Sequence, residues 1–261
     1  MSYALAPHRG SFSPAVSAGD PPLHQFALLD SAQLDGPRRT RCTQLLSGKP
    51  ATLLYEDTFA KGALALSPML IEFCPEMQML EPLDSICRHL PVLALLRTQM
   101  HLGLLTQHLR ERLLIEADGE PFMLRLADTQ MLAAANAAFS PGQRETFFAG
   151  IDAWLAADHE GSLQNMADPA VFPRAAVPAS LPLQLDGNQL RRLLEASTAP
   201  ALASQLREFD PGFGRALDHA QQTAFARNCI EQARLDAIDM DAELPSFALR
   251  RWHTLQDEAA A

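Results

Sequence analysis

The sequence predicts an α+β protein: an N-terminal α/β lobe with a mixed sheet and a hairpin, followed by an all-α C-terminal lobe. Three observations carry this. Short apolar runs of strand length alternate with helix-patterned segments over the first 160 residues, the spacing of sheet-and-helix units. An Asp118-Gly119 step joins two apolar runs, which is the signature of a tight hairpin. Beyond a stretch carrying Pro169, Pro173, Pro178 and Pro182, the pattern turns wholly helical. The expected layout is a flexible leader at 1–24, an α/β domain at 25–165, a Pro-rich connector at 166–182 and a helical lobe at 183–261.

Within the first lobe, residues 26–30 (Phe-Ala-Leu-Leu-Asp) read as a buried strand and 36–46, with Arg38, Arg39 and Arg41, as a short helix. Residues 51–55 and 69–74 read as further strands, with Pro68 tolerable before the second because a strand's first residue needs no ladder donor. A helix follows, starting at Glu76 or Leu83 and ending at Leu90, then an apolar strand over 92–97 and a helix over 101–111 burying Leu102, Leu105 and Leu109. Alternation of this kind suggests βαβ units and a partly parallel sheet.

The run 112–127 is the clearest local signal. Asp118 and Gly119 can both adopt positive φ, and pairing across them sets Ile115 opposite Phe122 and Leu113 opposite Leu124. Pro121 lacks a donor and belongs at the sheet edge. Asp128 stands where strand gives way to helix and is placed to accept from an orphan amide; Arg125, three residues earlier, is placed to bond it and lock that corner. Ser140, Pro141 and Gln143 form a capping box with Pro at the first helical position, opening a helix expected to carry Phe147, Ile151 and Trp154 on one face. In the C-terminal lobe, Asp186 with Gln189 caps one helix and Pro200 opens another. A long helix after Asp210 aligns Ala226, Ile230, Ala233, Ala237 and Met240, and a last one over 246–257 aligns Ala248, Trp252 and Leu255.

Composition bounds function. The chain has 261 residues, 48% of them apolar, enough for a real core. No apolar run reaches the ~18 residues of a membrane helix, and no secretory signal is visible at the start. The net charge of −10 argues against general nucleic-acid binding. It is uneven: residues 1–140 hold 11 basic and 14 acidic groups, and 141–261 hold 10 and 17. All but Lys49 and Lys61 of the 21 basic residues are Arg, the better interface cation. Cys42, Cys74, Cys87 and Cys229 lie far apart without a CxxC, as reduced thiols of a cytoplasmic protein would.

No nucleotide-binding, hydrolase or metal-binding signature is present, and no cofactor is expected. His101 and His108 are two helical turns apart, too far for a helix metal pair. Cys87 beside His89, with Asp128, is the one conceivable nucleophilic constellation. Asp236, Asp239, Asp241 and Glu243 gather near a helix C-terminus, where they read as a solvated surface or a patch for a basic partner.

One stretch carries a wider resemblance. His108-Leu109-Arg110, then the Asp118-Gly119 turn, then 123–132 (Met-Leu-Arg-Leu-Ala-Asp-Thr-Gln-Met-Leu) resembles the domain of type VI secretion adaptor proteins, or effector chaperones. In that family a strand ending Arg-aromatic-aromatic-Asp-Pro-Arg leads into a helix. Residues 26–30, 54–59 (Leu-Tyr-Glu-Asp-Thr-Phe) and 67–71 (Ser-Pro-Met-Leu-Ile) resemble its earlier blocks, and the segment from Ser140 through Trp154 to Gly161 its closing one. Arg125 and Asp128 are retained; Leu126, Ala127, Thr129 and Gln130 depart from the pattern.

The resemblance covers about 25–165 and implies a non-enzymatic cytoplasmic adaptor that binds a secreted effector and helps load it onto the VgrG spike, with no nucleic-acid or membrane partner. The helical lobe, outside the resemblance, is then expected to supply effector-binding surface, with Phe247, Arg250, Arg251 and Trp252 as first candidates, since aromatic and Arg residues dominate hot spots. Trp252 also fits core burial. The competing readings are an immunity-type protein that blocks an effector and a hydrolase or transferase built from Cys87, His89 and Asp128.

Overall fold

The computed structural model describes residues 23–56, 61–73, 80–87, 90–157, 163–167, 179–240 and 242–260. The expected leader lies almost wholly outside them, as does most of the connector; His24, placed in the leader, begins the first strand. The chain divides into two compact units, residues 1–190 and 191–261.

In the first unit, β1 (His24–Leu29), β2 (Ala51–Leu53), β3 (Met69–Phe73), β4 (Leu93–Thr98), β7 (Ile151–Ala157) and β8 (Leu163–Asn165) form a six-stranded sheet in the order β2-β3-β1-β4-β7-β8. Every pairing in it is antiparallel. This corrects the partly parallel arrangement expected from the alternation. The helices between strands here do not carry the chain back to a parallel neighbour. The parallel pairing lies in a second, three-stranded sheet, β6-β5-β9, in which β5 (Leu114–Ala117) pairs antiparallel with β6 (Glu120–Met123) and parallel with β9 (Leu183–Leu185). β9 also corrects the expectation that everything after residue 182 is helical; three residues are too few to show a period.

The register explains the cores. Phe26, Leu96 and Trp154 are cross-strand partners and so share one sheet face. There Trp154 stacks on Phe147 of α5 (Pro141–Phe147) at 6.0 Å, and α4 (Thr129–Ala138) packs on β7. On the other face Ala27, Leu29, Ile71, Phe73, Leu93 and Leu95 meet Cys42 and Leu46 of α1 (Gly36–Leu46) and Leu83, Ile86 and Cys87 of α2 (Leu80–Cys87). A sheet covered on both faces loses the apolar–polar alternation, which is why its central strands read as continuous apolar runs.

The hairpin forms as expected: Asp118 and Gly119 have φ of 52° and 80°, Ile115 faces Phe122, and the Leu124 amide donates to Leu113 at 2.7 Å. Pro121 sits in the edge strand. The capping box of Ser140 and Gln143 is present, but the helix it opens stops at Phe147. Gly150, at φ 72°, turns the chain, and Ile151 and Trp154 belong to β7. The expected stripe is core, as Trp154 and Phe147 are fully buried, but it spans a helix and a strand.

The second unit holds most of α6 (Gly187–Phe209), together with α7 (Pro211–Ala216), α8 (His219–Leu235) and α9 (Leu244–Ala260). Asp186 and Gln189 do bracket the start of α6, each backbone amide bonding the other's side chain at 2.9–3.0 Å. Pro200 lies inside α6 instead of opening a new helix. The long helix expected after Asp210 is two, α7 and α8, and α8 ends at Leu235, with Ala237 at φ 53°. The core of this unit is Leu202, Leu206, Phe213, Ala226, Ile230, Ala248 and Trp252 with their neighbours.

Candidate functional site

Among the described residues, a concentrated polar constellation lies at the end of β1. Asp30 follows the strand directly, and its amide donates to the Val92 carbonyl at 2.8 Å. Asp128 caps α4, its Oδ1 accepting from the amides of Gln130 and Met131 at 3.1 Å each. The two carboxylates, 3% and 5% exposed, are joined by Gln33, whose Nε2 donates to both at 3.1 Å. Arg125 Nη2 donates to Asp30 Oδ2 at 2.8 Å, and its Nη1 stands 3.9 Å from Asp128. The corner lock expected between Arg125 and Asp128 is therefore real but secondary: the close partner of Arg125 is Asp30, 95 residues away.

The electrostatics follow from burial. Loss of water pushes the Asp128 carboxyl up to about 6, with Arg125 pulling against it. Burial also raises the Tyr55 hydroxyl, helped by Asp30 and opposed by Arg125. For Arg125 itself burial pulls downward, and Asp30 and Asp128 outweigh it, so the guanidinium is held above its ordinary value. Its side chain is 45% exposed, leaving one flank of a buried ion cluster open to solvent. Chemically this is a clamp: each carboxylate spends its oxygens on donors of the chain, and the cluster ties β1, the Asp118–Gly119 hairpin and α4 together.

A second polar hub has no local signature in the sequence. Arg112, 5% exposed, donates to the carbonyls of Phe147, His108 and Thr146 at 2.7–2.8 Å, binding the end of α3 (Leu102–Arg110) to the end of α5. Neither Gln33 nor Arg112 has a local spacing that reveals it, because the bonds that make each a hub, from Gln33 to Asp128 and from Arg112 to Thr146 and Phe147, reach far along the chain.

The remaining candidates are dispersed. Cys87 is buried beside Cys42 in the apolar layer, Asp128 belongs to the clamp, and His89 lies outside the described residues. His101 caps α3, its Nδ1 3.4 Å from the Leu104 amide, and His108 is half-buried and pushed down to about 4, chiefly by burial and then by Arg112. Among the described residues no three His, Cys, Asp or Glu are grouped to hold a metal ion, and no helix is long and apolar enough to cross a membrane. Of the acidic group, Asp236 caps the end of α8 and Asp239 accepts from the Ala242 amide at 3.0 Å; Asp241 lies outside the described residues.

In the helical unit Trp252 is 6% exposed. Its Nε1 donates to Asp210 at 2.9 Å, and its ring meets Phe213 edge-on at 5.1 Å. It is core. Arg250 and Arg251 are exposed and Phe247 is half-buried, with the Arg251 guanidinium over the Phe247 ring at 5.7 Å. An open groove of about 250 Å³ runs between α6 and α8, lined by Glu195, Thr198, Ala199, Arg227, Ile230 and Glu231, below the size of most small-molecule sites.

Comparison with known families singles out the sheet-bearing unit. Residues 25–146 match the family model described as Domain of unknown function (DUF4123). The match spans just under half of the chain. It takes in Asp30, Gln33, Arg125 and Asp128, so the whole clamp lies inside the DUF4123 stretch, while β7, β8 and the helical unit lie beyond it. No curated protein and no solved structure matches the chain.

Proposed function

We propose that this chain is a non-enzymatic adaptor, or chaperone, that binds a type VI secretion effector in the cytoplasm and helps load it onto the VgrG spike. The observation that carries the reading is the match of residues 25–146 to DUF4123, a domain associated with effector adaptors of that system. The clamp supports the non-enzymatic part. Asp30 and Asp128 are saturated by Arg125, Gln33 and backbone amides, an arrangement that holds elements in place. The exposed face of α9, with Arg250, Arg251 and the flanking Phe247, is proposed as effector-contacting surface, with Trp252 acting from beneath as its internal anchor.

The test is co-purification. The tagged full chain should retain its cognate effector and a VgrG-class spike protein at mild salt, and the double substitution R250A/R251A should weaken effector binding about thirtyfold, the worth of one Arg hot spot. Recovery of neither protein overturns the adaptor reading. Protection of a toxin-expressing cell without any effect on secretion replaces it with an immunity role.

A further inference from the structure

Two cysteines face each other in the first unit. Cys42 lies on the inner side of α1 and Cys87 is the last residue of α2; the two helices pack together over one sheet face, and both thiols sit in the same apolar cluster with Leu46, Leu83 and Ile86. Each is the direct side-chain neighbour of the other, and both are free. The pairing makes them unequal. Contact with Cys87, assisted by Arg41 and opposed by burial, pulls the Cys42 thiol down, whereas contact with Cys42 and burial push Cys87 up. Cys229, buried in the other unit, is pushed up to about 11, first by burial, and its perturbing neighbour is Arg251. A buried cysteine by itself behaves as a small apolar filler; two in side-chain contact across packed helices, one of them pulled below its ordinary value by the other, are the arrangement of an attacking and a resolving thiol.

We propose that Cys42 and Cys87 form an oxidisable dithiol that a small peroxide converts into an intramolecular disulfide fastening α1 to α2. Cys42 loses its proton, its thiolate attacks one peroxide oxygen, the O–O bond breaks, and the hydroxide released takes up that proton to become water, leaving a sulfenic acid on Cys42. The Cys87 sulfur then attacks the Cys42 sulfur, the S–O bond breaks, and the departing hydroxide takes the Cys87 proton as a second water. Two thiols and hydrogen peroxide thus become one disulfide and two waters, the thiols losing two electrons and the peroxide gaining them. The oxidant must be small, because the two residues are only 3% and 4% exposed. Access is through a single layer, since the outer face of α1, with Arg39, Thr40, Arg41 and Thr43, is exposed.

The experiment treats the folded full chain with stoichiometric hydrogen peroxide, then measures intact mass, free thiols and a non-reduced peptide map. The expected result is loss of two hydrogen atoms, a fall from four titratable thiols to two, a single Cys42–Cys87 cross-linked peptide and a raised thermal midpoint that dithiothreitol reverses. Retention of all four thiols, oxygen addition without cross-linking, or a cross-link involving Cys74 or Cys229 overturns the proposal. The wild-type map decides the question even where C42S or C87S fails to fold; where either folds, the mass loss should vanish.

Discussion

Truncation of Arg125 would leave two buried carboxylates facing each other with only Gln33 and backbone amides to hold them. Removing one partner of a fully buried pair costs several kcal/mol, while exposed pairs are worth little. With its side chain 45% exposed, Arg125→Ala should cost about 2 kcal/mol in urea unfolding at neutral pH. The sign of the pH dependence is set by Asp128, whose carboxyl already sits at about 6. Without the guanidinium it rises further, so the deficit should be greatest above pH 7 and shrink as pH falls and the carboxyl takes its proton. A deficit that stays flat across that range would show that Arg125 acts only by packing. The sequence disclosed half of this cluster. Asp128 was legible because N-capping is a local event, read from a strand-to-helix corner. Asp30 and Gln33 were not, because the bonds that define them cross 95 residues of chain, and no spacing rule reaches that far.

Among the elements, turns that demand a particular backbone were readable and runs that fit two periods were not. Asp118-Gly119 allows few alternatives, and its register came out residue for residue. Phe147, Ile151 and Trp154 satisfy a helical period equally well. What decides against it is Gly150, at φ 72°, and a β7 covered on both faces, which hides the alternation that would mark a strand. Two glycines therefore make a matched pair. At Gly119 an added Cβ meets nothing within 4 Å, whereas at Gly150 it would come within 3.3 Å of the Met100 methyl. Both substitutions to alanine bear the left-handed strain of about 1 kcal/mol. Gly150→Ala must also move Met100 and disturb the 2.5 Å bond from Thr98 to the Gly150 carbonyl. Chemical denaturation should rank Gly150→Ala as the more destabilising; the reverse order would mean that the hairpin, and not the entry to β7, is the strained junction.

Across the whole molecule, acid should act unequally on the two units. His219 of the helical unit, 8% exposed, is pushed down to about 4 by burial and then by Arg207, with Asp218 opposing. Its folded value lies below its unfolded one, so the stability it supports is complete above about pH 6.5 and is lost as pH falls toward 4, worth about 3 kcal/mol. Asp210, held low first by the Gly212 amide and then by Trp252, works in the same direction. The sheet-bearing unit has His108, also at about 4, but against it stands Asp128. That carboxyl is raised to about 6, so the folded state grips its proton more tightly and gains stability over the same fall in pH. The two largely offset. The helical unit should therefore open first on acidification. The chain's two tryptophans report separately, since Trp154 lies in the sheet-bearing unit and Trp252 in the helical core. Trp154→Phe leaves Trp252 as the reporter, and Trp252→Phe leaves Trp154, so each variant perturbs the unit that is not being read. Fluorescence of Trp252 should shift to the red at a higher pH than that of Trp154. Coincident transitions, or the opposite order, would mean that the buried histidine does not set the acid limit of its unit.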